Sequence, residues 1–256
     1  MSRRLVLLAL MSVAAHPRLA AAGTYYVSAA GTAGGAGTQV DPWSLGHANT
    51  TAKAGDTIIL LDGSYTTSIA PSQSGTAGMP ITYRAAAAHQ ARFSGWTSSS
   101  PAVLLTGRSY IVVDGIESVN VARWVLAEGG QHHITIRDCN FKQSSGWESA
   151  RFRGSVSHIT VSGCRFDGGT DSLHIRDGEN HLVENNTFVD ASHTCLVLMG
   201  VHRSVVRHNT LPNAMQEKCM EVFSMRGVYG PPRKSELNVI EDNRFGPCDL
   251  SCSATT

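Results

Sequence analysis

Glu148, Asp171, Thr194 and Lys218 stand 23, 23 and 24 residues apart (171 − 148, 194 − 171, 218 − 194), so one repeat length separates each from the next. Arg151, His174 and Glu221 each lie three residues after a member of that series, and Arg153 and Arg176 lie two residues further on. His193 directly precedes Thr194, and Arg226 follows Glu221. If the repeat stacks, these side chains form one face of guanidinium groups, an ammonium, carboxylates and two imidazoles. Such a face suits an acidic sugar chain, because arginine grips a carboxylate through two parallel hydrogen bonds.

The chemistry this set could run is β-elimination. Neutralising a uronate carboxylate acidifies the adjacent C5 proton; a base removes it and the glycosidic bond at C4 breaks. Lys218, His193 and His174 are the candidate bases, and Arg176 completes the catalytic set. Arg176 and Arg151 are the candidate carboxylate clamps, with Arg153 and Arg226 as further substrate-binding groups. A lysine base needs its pKa lowered, which neighbouring arginines assist. Glu148, Asp171 and Glu221 could hold Ca²⁺, which takes oxygen ligands. The competing reading is purely structural: charges on stacked strands also form cross-strand ion ladders.

Stacking is what the rest of the sequence predicts. Six segments align: Ile111–Ile116, Ile134–Phe141, Ile159–Phe166, His181–Phe188, Ser204–Leu211 and Asn238–Phe245. Their third column reads Val113, Ile136, Val161, Val183, Val206, Ile240, at spacings of 23, 25, 22, 23 and 34 residues. The last coil therefore carries an insertion of about ten residues (34 − 23 = 11). A second strand precedes each segment, and a glycine follows it: Gly107, Gly129, Gly154, Gly178, Gly200, Gly227. A third short strand completes each coil. One coil cannot bury its apolar face alone, but a stack can. The expected fold is all-β: a single-stranded parallel β-helix, right-handed by the usual hand of parallel crossovers. A leucine-rich repeat has a similar period but needs a leucine consensus that is absent here.

Alternation in the second strands puts Ala150, Phe152, Leu173, Ile175, Leu196, Leu198, Met220 and Val222 inside and the charged residues outside. Cys139, Cys164, Asn186, Asn209 and Asn243 share one column, predicted as a hydrogen-bonded turn stack. Phe141, Phe166, Phe188, Leu211 and Phe245 are predicted core. The cysteine positions suggest the pairs Cys139–Cys164, Cys195–Cys219 and Cys248–Cys252, and no zinc-site spacing occurs.

Residues 1–22 read as a secretory signal peptide: Arg3 and Arg4, then the apolar run Leu5–Ala15, then small residues. Residues 23–256 are then one β-helix domain, with coils from about 57 to 246 and a short cysteine-containing tail. Location is expected outside the cell or in the periplasm, with no membrane association after cleavage, and the chain is expected to be a monomer. Removing the leader takes the formal charge from +1 to −2 (1 − 3, for Arg3, Arg4 and Arg18). A chain with no basic excess is not expected to bind nucleic acid.

The opening stretch carries a resemblance. Tyr25–Ser28, Gly37-Thr38, Pro42-Trp43, Gly55–Ile58, Gly63–Tyr65 and Pro80–Tyr83 resemble the start of secreted right-handed parallel β-helix proteins of the pectate lyase-like superfamily. That group includes pectate, alginate and chondroitin lyases. The resemblance implies an N-terminal cap on the solenoid, which would protect the exposed strand edge. Asp171–Gly178 resembles the strand that carries calcium-binding acids in pectate lyases. Asp190–Thr194 resembles the turn carrying a substrate-binding lysine, with His193 in its place. Asn213–Lys218 resembles the turn leading to the catalytic arginine, where this chain has Glu217 and Lys218. The expected function is thus a lyase acting on a uronic-acid-containing polysaccharide. A β-helix glycoside hydrolase, which needs paired carboxylates, and a non-catalytic carbohydrate-binding protein are the alternatives.

Overall fold

The computed structural model describes residues 22–95, 100–212, 218–224 and 233–247, with the backbone alone of 249–253. The leader, apart from Ala22, lies outside the described residues, as do Arg226, Gly227 and Cys248. Strand pairing between coils is parallel, and the aligned valine and isoleucine column is a physical register. Val113 pairs with Ile136, Ile136 with Val161, Val161 with Val183, Val183 with Val206, and Val206 with Ile240. The column continues upstream through Tyr83 to Ile58. These side chains point inward and, as far as Val206, are buried, so each coil covers the apolar face of the next.

The described strands form a 15-stranded sheet and an 8-stranded sheet. In the larger sheet, the second strand of one coil and the first of the next fuse into one long strand, Glu148–Ser162, whereas the strands Asp171–Glu179 and Thr194–His202 end just before the separate strands Leu182–Glu184 and Val205–Arg207. The direction changes within them at the predicted glycine positions. Gly154 takes a positive φ of 87°, which glycine adopts without a Cβ penalty. Gly178 serves differently: a Cβ there would lie 2.0 Å from the Val156 carbonyl oxygen. The smaller sheet holds the phenylalanine column. The Phe141 and Phe166 rings stack at 5.3 Å, and the Phe166 and Phe188 rings at 4.9 Å. Trp124 packs 5.8 Å from both Phe141 and Phe166 and is fully buried.

The asparagine column is a hydrogen-bonded ladder. Asn186 Nδ2 donates to Asn209 Oδ1 at 3.0 Å, and Asn209 Nδ2 to Asn243 Oδ1 at 2.9 Å. The same amides also donate to the carbonyls of Val161 and Val183. A second ladder, not expected from the sequence, runs through Asn238, Ser204 and His181. Each accepts the backbone N–H of the residue stacked above it: Ser204 N, His181 N and Ile159 N respectively.

Two expectations about cysteine are corrected. Cys139 and Cys164 are free buried thiols whose sulfurs donate to the carbonyls of Arg137 and Ser162. In-register parallel strands hold Cβ atoms about 4.8 Å apart and pointing the same way, too far for the usual disulfide separation of about 3.5–4.5 Å. Cys195 carries no disulfide, so the expected Cys195–Cys219 bridge is not formed. Cys219 is disulfide-bonded, though not to Cys195, and the expected Cys248–Cys252 pair lies outside the described side chains.

At the N-terminal end, strand Thr24–Thr32 pairs in parallel with Thr57–Leu60, so the opening segment joins the sheet directly. Helix Leu45–Thr51 buries Leu45 and Ala48 against the core and provides the cap. Ser44 starts that helix by accepting the His47 N–H. Among the described residues no helix is long and apolar enough to cross a membrane.

Candidate active site on the charged face

The register brings the predicted site residues together. Glu148 pairs with Asp171, Asp171 with Thr194, and Thr194 with Lys218. Beside that column Arg151 pairs with His174, which pairs with Val197, which pairs with Glu221. Arg153 pairs with Arg176, which pairs with Met199. The face divides into two hydrogen-bonded groups.

In the first, Arg151 donates from Nη1 to Glu148 Oε2 at 2.7 Å and bridges from Nη2 to Glu128 Oε1 at 2.6 Å. Arg153 reaches the same Glu128 oxygen through Nε. His174 Nδ1 lies 3.2 Å from Glu148 Oε1 and 3.7 Å from Asp171 Oδ2. The Arg151 side chain is 13% exposed and that of His174 7%, so both are enclosed. Burial raises the Glu148 pKa, but His174, Arg151 and Arg176 together outweigh it, and the net shift is downward. Burial lowers the pKa of Arg123, and the charge of Arg151 lowers it further. Glu128 and Arg123 were not singled out from the sequence. The signal existed: Glu128 holds the outward position in register with Arg153.

In the second group, His193 Nδ1 lies 2.8 Å from Asp171 Oδ1 and 3.0 Å from Thr194 Oγ1. The Thr194 hydroxyl donates to Glu221 Oε2 at 3.2 Å, and Lys218 Nζ donates to Glu221 Oε1 at 2.7 Å. Five side chains from three coils thus form one continuous chain. Asp171 is buried, whereas the side chains of His193 and Lys218 are 33% and 30% exposed. The carboxylate faces Nδ1, so base chemistry by His193 must use Nε2.

Trp147, in the turn before Glu148, was missed by the sequence reading. It is 64% exposed, and its ring centroid lies 5.7 Å from that of His193. At the other end of the face the insertion before the last coil returns to the sheet. Arg233 Nε binds Asp177 Oδ1 at 2.5 Å, and Ser235 Oγ accepts the Val201 N–H at 3.0 Å.

The three acids do not fit a calcium site as they stand. Calcium takes about six to eight oxygens at about 2.3–2.6 Å. Here Glu148 serves Arg151 and His174, Asp171 serves His193, and Glu221 serves Thr194 and Lys218. Among the described residues no three acidic, histidine or cysteine side chains converge on a metal position. A separate groove of about 470 Å³ runs past Tyr110, His133, His158 and Asn180, with no carboxylate or guanidinium in its lining.

The sequence matches the family described as right-handed β-helix region over residues 102–255, more than half of the 256-residue chain. The chain belongs to the right-handed β-helix family. A second match, to the Pel9A-like right-handed β-helix region, covers residues 25–148. Together the two matches take in the cap, the coils and the charged face. Solved structures of carbohydrate-active enzymes resemble it in fold. Pectate lyase Pel9A superposes with a TM-score of 0.56 at 16% identity, covering 80% of this chain and 63% of that one. The GH136 lacto-N-biosidase of Eubacterium ramulus gives 0.65 at 14% identity, covering 90% and 57%. An alginate lyase from Paenibacillus sp. str. FPU-7 gives 0.55 at 15% identity, covering 91% and 98%. The chain therefore spans about three-fifths of the length of the first two proteins. No curated protein matches it in sequence.

Proposed function

We propose that this right-handed β-helix is a secreted polysaccharide lyase that cleaves a uronic-acid-containing chain by β-elimination. The observation that carries the reading is the Asp171–His193 pair, at 2.8 Å, on the outside of a sheet whose neighbouring coils present arginines. A buried carboxylate on Nδ1 fixes the imidazole tautomer and leaves Nε2 as the basic nitrogen. His193 is then the base that takes the C5 proton, in preference to His174, which is enclosed between Glu148 and Asp171. Lys218, ion-paired with Glu221, supplies the proton to the departing C4 oxygen. The C5–H electrons form the C4=C5 double bond as the C4–O bond breaks, so atoms and charge balance. Arg176 and Arg153 are the groups for the uronate carboxylate. Arg151, bonded to two glutamates, instead holds the first group rigid. Both lyase neighbours in fold act on acidic polysaccharides, pectate and alginate, and agree with this substrate class.

Hydrolysis is less well supported. A hydrolase needs one carboxyl kept protonated as the general acid, and the Glu148 pKa is shifted the opposite way.

Polyuronates and glycosaminoglycans digested with the purified chain, with and without chelator, test the proposal. Unsaturated products appear as ultraviolet absorbance, and His193→Ala lowers the rate by about 10²–10⁴-fold, the usual contribution of a general base. The chelator arm decides whether Glu148, Asp171 and Glu221 serve calcium after all. Reducing ends without absorbance would replace the lyase by a hydrolase. Silence across the panel sinks the enzyme reading.

A further inference from the structure

Among the described residues of the charged face, one large apolar side chain, Trp147, is exposed. Trp124 is buried in the core, and Trp43 is buried in the cap, where it stacks on Tyr25. Trp147 is 64% exposed on the same surface as the ion pairs. Its backbone is pinned, since the Asp171 N–H donates to the Trp147 carbonyl at 2.8 Å. That bond places Trp147 in the turn column shared with Thr170 and His193, two coils from His193, or about 9.6 Å along the stack. Yet the two rings are 5.7 Å apart at their centroids, tilted by 42°. They lean toward each other over Thr170, and the intervening turn contains only the small residues Gly168, Gly169 and Thr170.

An exposed indole offers apolar area whose burial by a ligand is favourable. A pyranose ring is polar at its edge but presents a patch of C–H groups on one face, and that patch can cover an indole. We infer that Trp147 is a sugar-stacking subsite: it holds one pyranose of the polysaccharide next to the ring whose proton His193 removes. This rests on the reading of the charged face as a polysaccharide site. The indole supplies apolar contact that arginines cannot, and its place beside His193 sets which sugar reaches the base. Selectivity therefore comes from two chemistries, a carboxylate grip on the arginines and a C–H face on Trp147.

The test is calorimetric binding of galacturonate, mannuronate and neutral xylose tetrasaccharides to the wild type, Trp147→Ala and Trp147→Phe. The ring is exposed, so both variants keep the wild-type melting temperature. Trp147→Ala weakens the acidic tetrasaccharide that binds by about three- to tenfold, and Trp147→Phe stays within about twofold of wild type, as for one aromatic contact. Equal loss in both variants, or none in Trp147→Ala, overturns the stacking subsite and leaves the lyase reading standing. If only the neutral tetrasaccharide binds, and Trp147→Ala loses it, the subsite holds and the uronate reading falls. No binding of any probe by wild type overturns both.

Discussion

At the scale of single residues, the fold treats its histidines in opposite ways. His193 is half-open beside Asp171, whereas His181 is 2% exposed and used as a hydrogen-bond acceptor. Burial first, and then the charge of His158, lower the His181 pKa from 6.5 to about 3. The consequence for stability has a definite sign. Above pH 6.5 the imidazole is neutral in both folded and unfolded chains, and its contribution is fully present. Below pH 6.5 the unfolded chain takes up a proton that the folded chain refuses until about pH 3. Stability is therefore lost as pH falls through that window, by about 2 kcal/mol at pH 5. His181→Asn keeps an acceptor for the Ile159 N–H, as Asn186 does for the Cys164 N–H, and has nothing to titrate. Urea midpoints at pH 7 and pH 5 give the check: wild type loses about 2 kcal/mol more than the variant, and equal losses would refute a neutral buried His181. At this scale the sequence was informative about residue type and outward direction, and silent about enclosure. His174 points outward as expected, but Glu148 and Asp171 close around it. Arg151 finds Glu128 as well as Glu148, a choice that depends on side-chain reach and not on spacing. Trp147 escaped notice because the aligned column begins one residue later, at Glu148.

At the scale of elements, the ladders explain why the register does not slip. A shift of one residue in a parallel stack would move each inward side chain to the outside, and it would also strand the turn amides. Asn209 shows the penalty. Its Oδ1 accepts both the backbone N–H and the Nδ2 of Asn186, and its Nδ2 donates to the Val183 carbonyl. Asn209→Ala leaves the buried Asn186 N–H and Val183 carbonyl without that partner, each unmade bond costing about 1–3 kcal/mol. The expected loss is about 3 kcal/mol, read as a lower denaturant midpoint with an unchanged slope. A loss below about 1 kcal/mol would mean that water replaces the amide. The registers were legible because a solenoid converts sequence period directly into spatial neighbours, so six aligned segments predicted six stacked strands. The cysteine pairing was less legible for the same geometric reason. One repeat apart means stacked, and stacked Cβ atoms are parallel and too far apart for a bridge. The His181–Ser204–Asn238 ladder had no common residue type to announce it, since imidazole, hydroxyl and amide oxygen fill the same acceptor position.

At the scale of the whole molecule, a solenoid is stabilised between neighbouring coils, so its stability is graded along the axis. The N-terminal end is closed by helix Leu45–Thr51, and the middle coils have strands such as Thr194–His202 that are buried almost throughout. The last described coil differs: all three residues of strand Val239–Glu241 are exposed, and Leu237 is 73% exposed. The proposed chemistry sits between these extremes, because its five-residue chain draws on the coils of Asp171, of His193 with Thr194, and of Lys218 with Glu221. Those side chains are positioned by strands in the best-buried part of the stack, which keeps the Asp171–His193 distance independent of fraying beyond it. Local opening follows the density of buried contacts. Hydrogen exchange read by mass spectrometry should therefore be slowest over 171–176 and 194–201, and fastest over 239–245. Exchange at 194–201 as fast as at 239–245 would show that the charged face opens together with the last coil, and a base held by that face could not be preorganised. Slow exchange there, with rapid exchange beyond residue 239, makes the site rigid on a molecule whose far end is loose, the arrangement a base aimed at a single C5 proton requires.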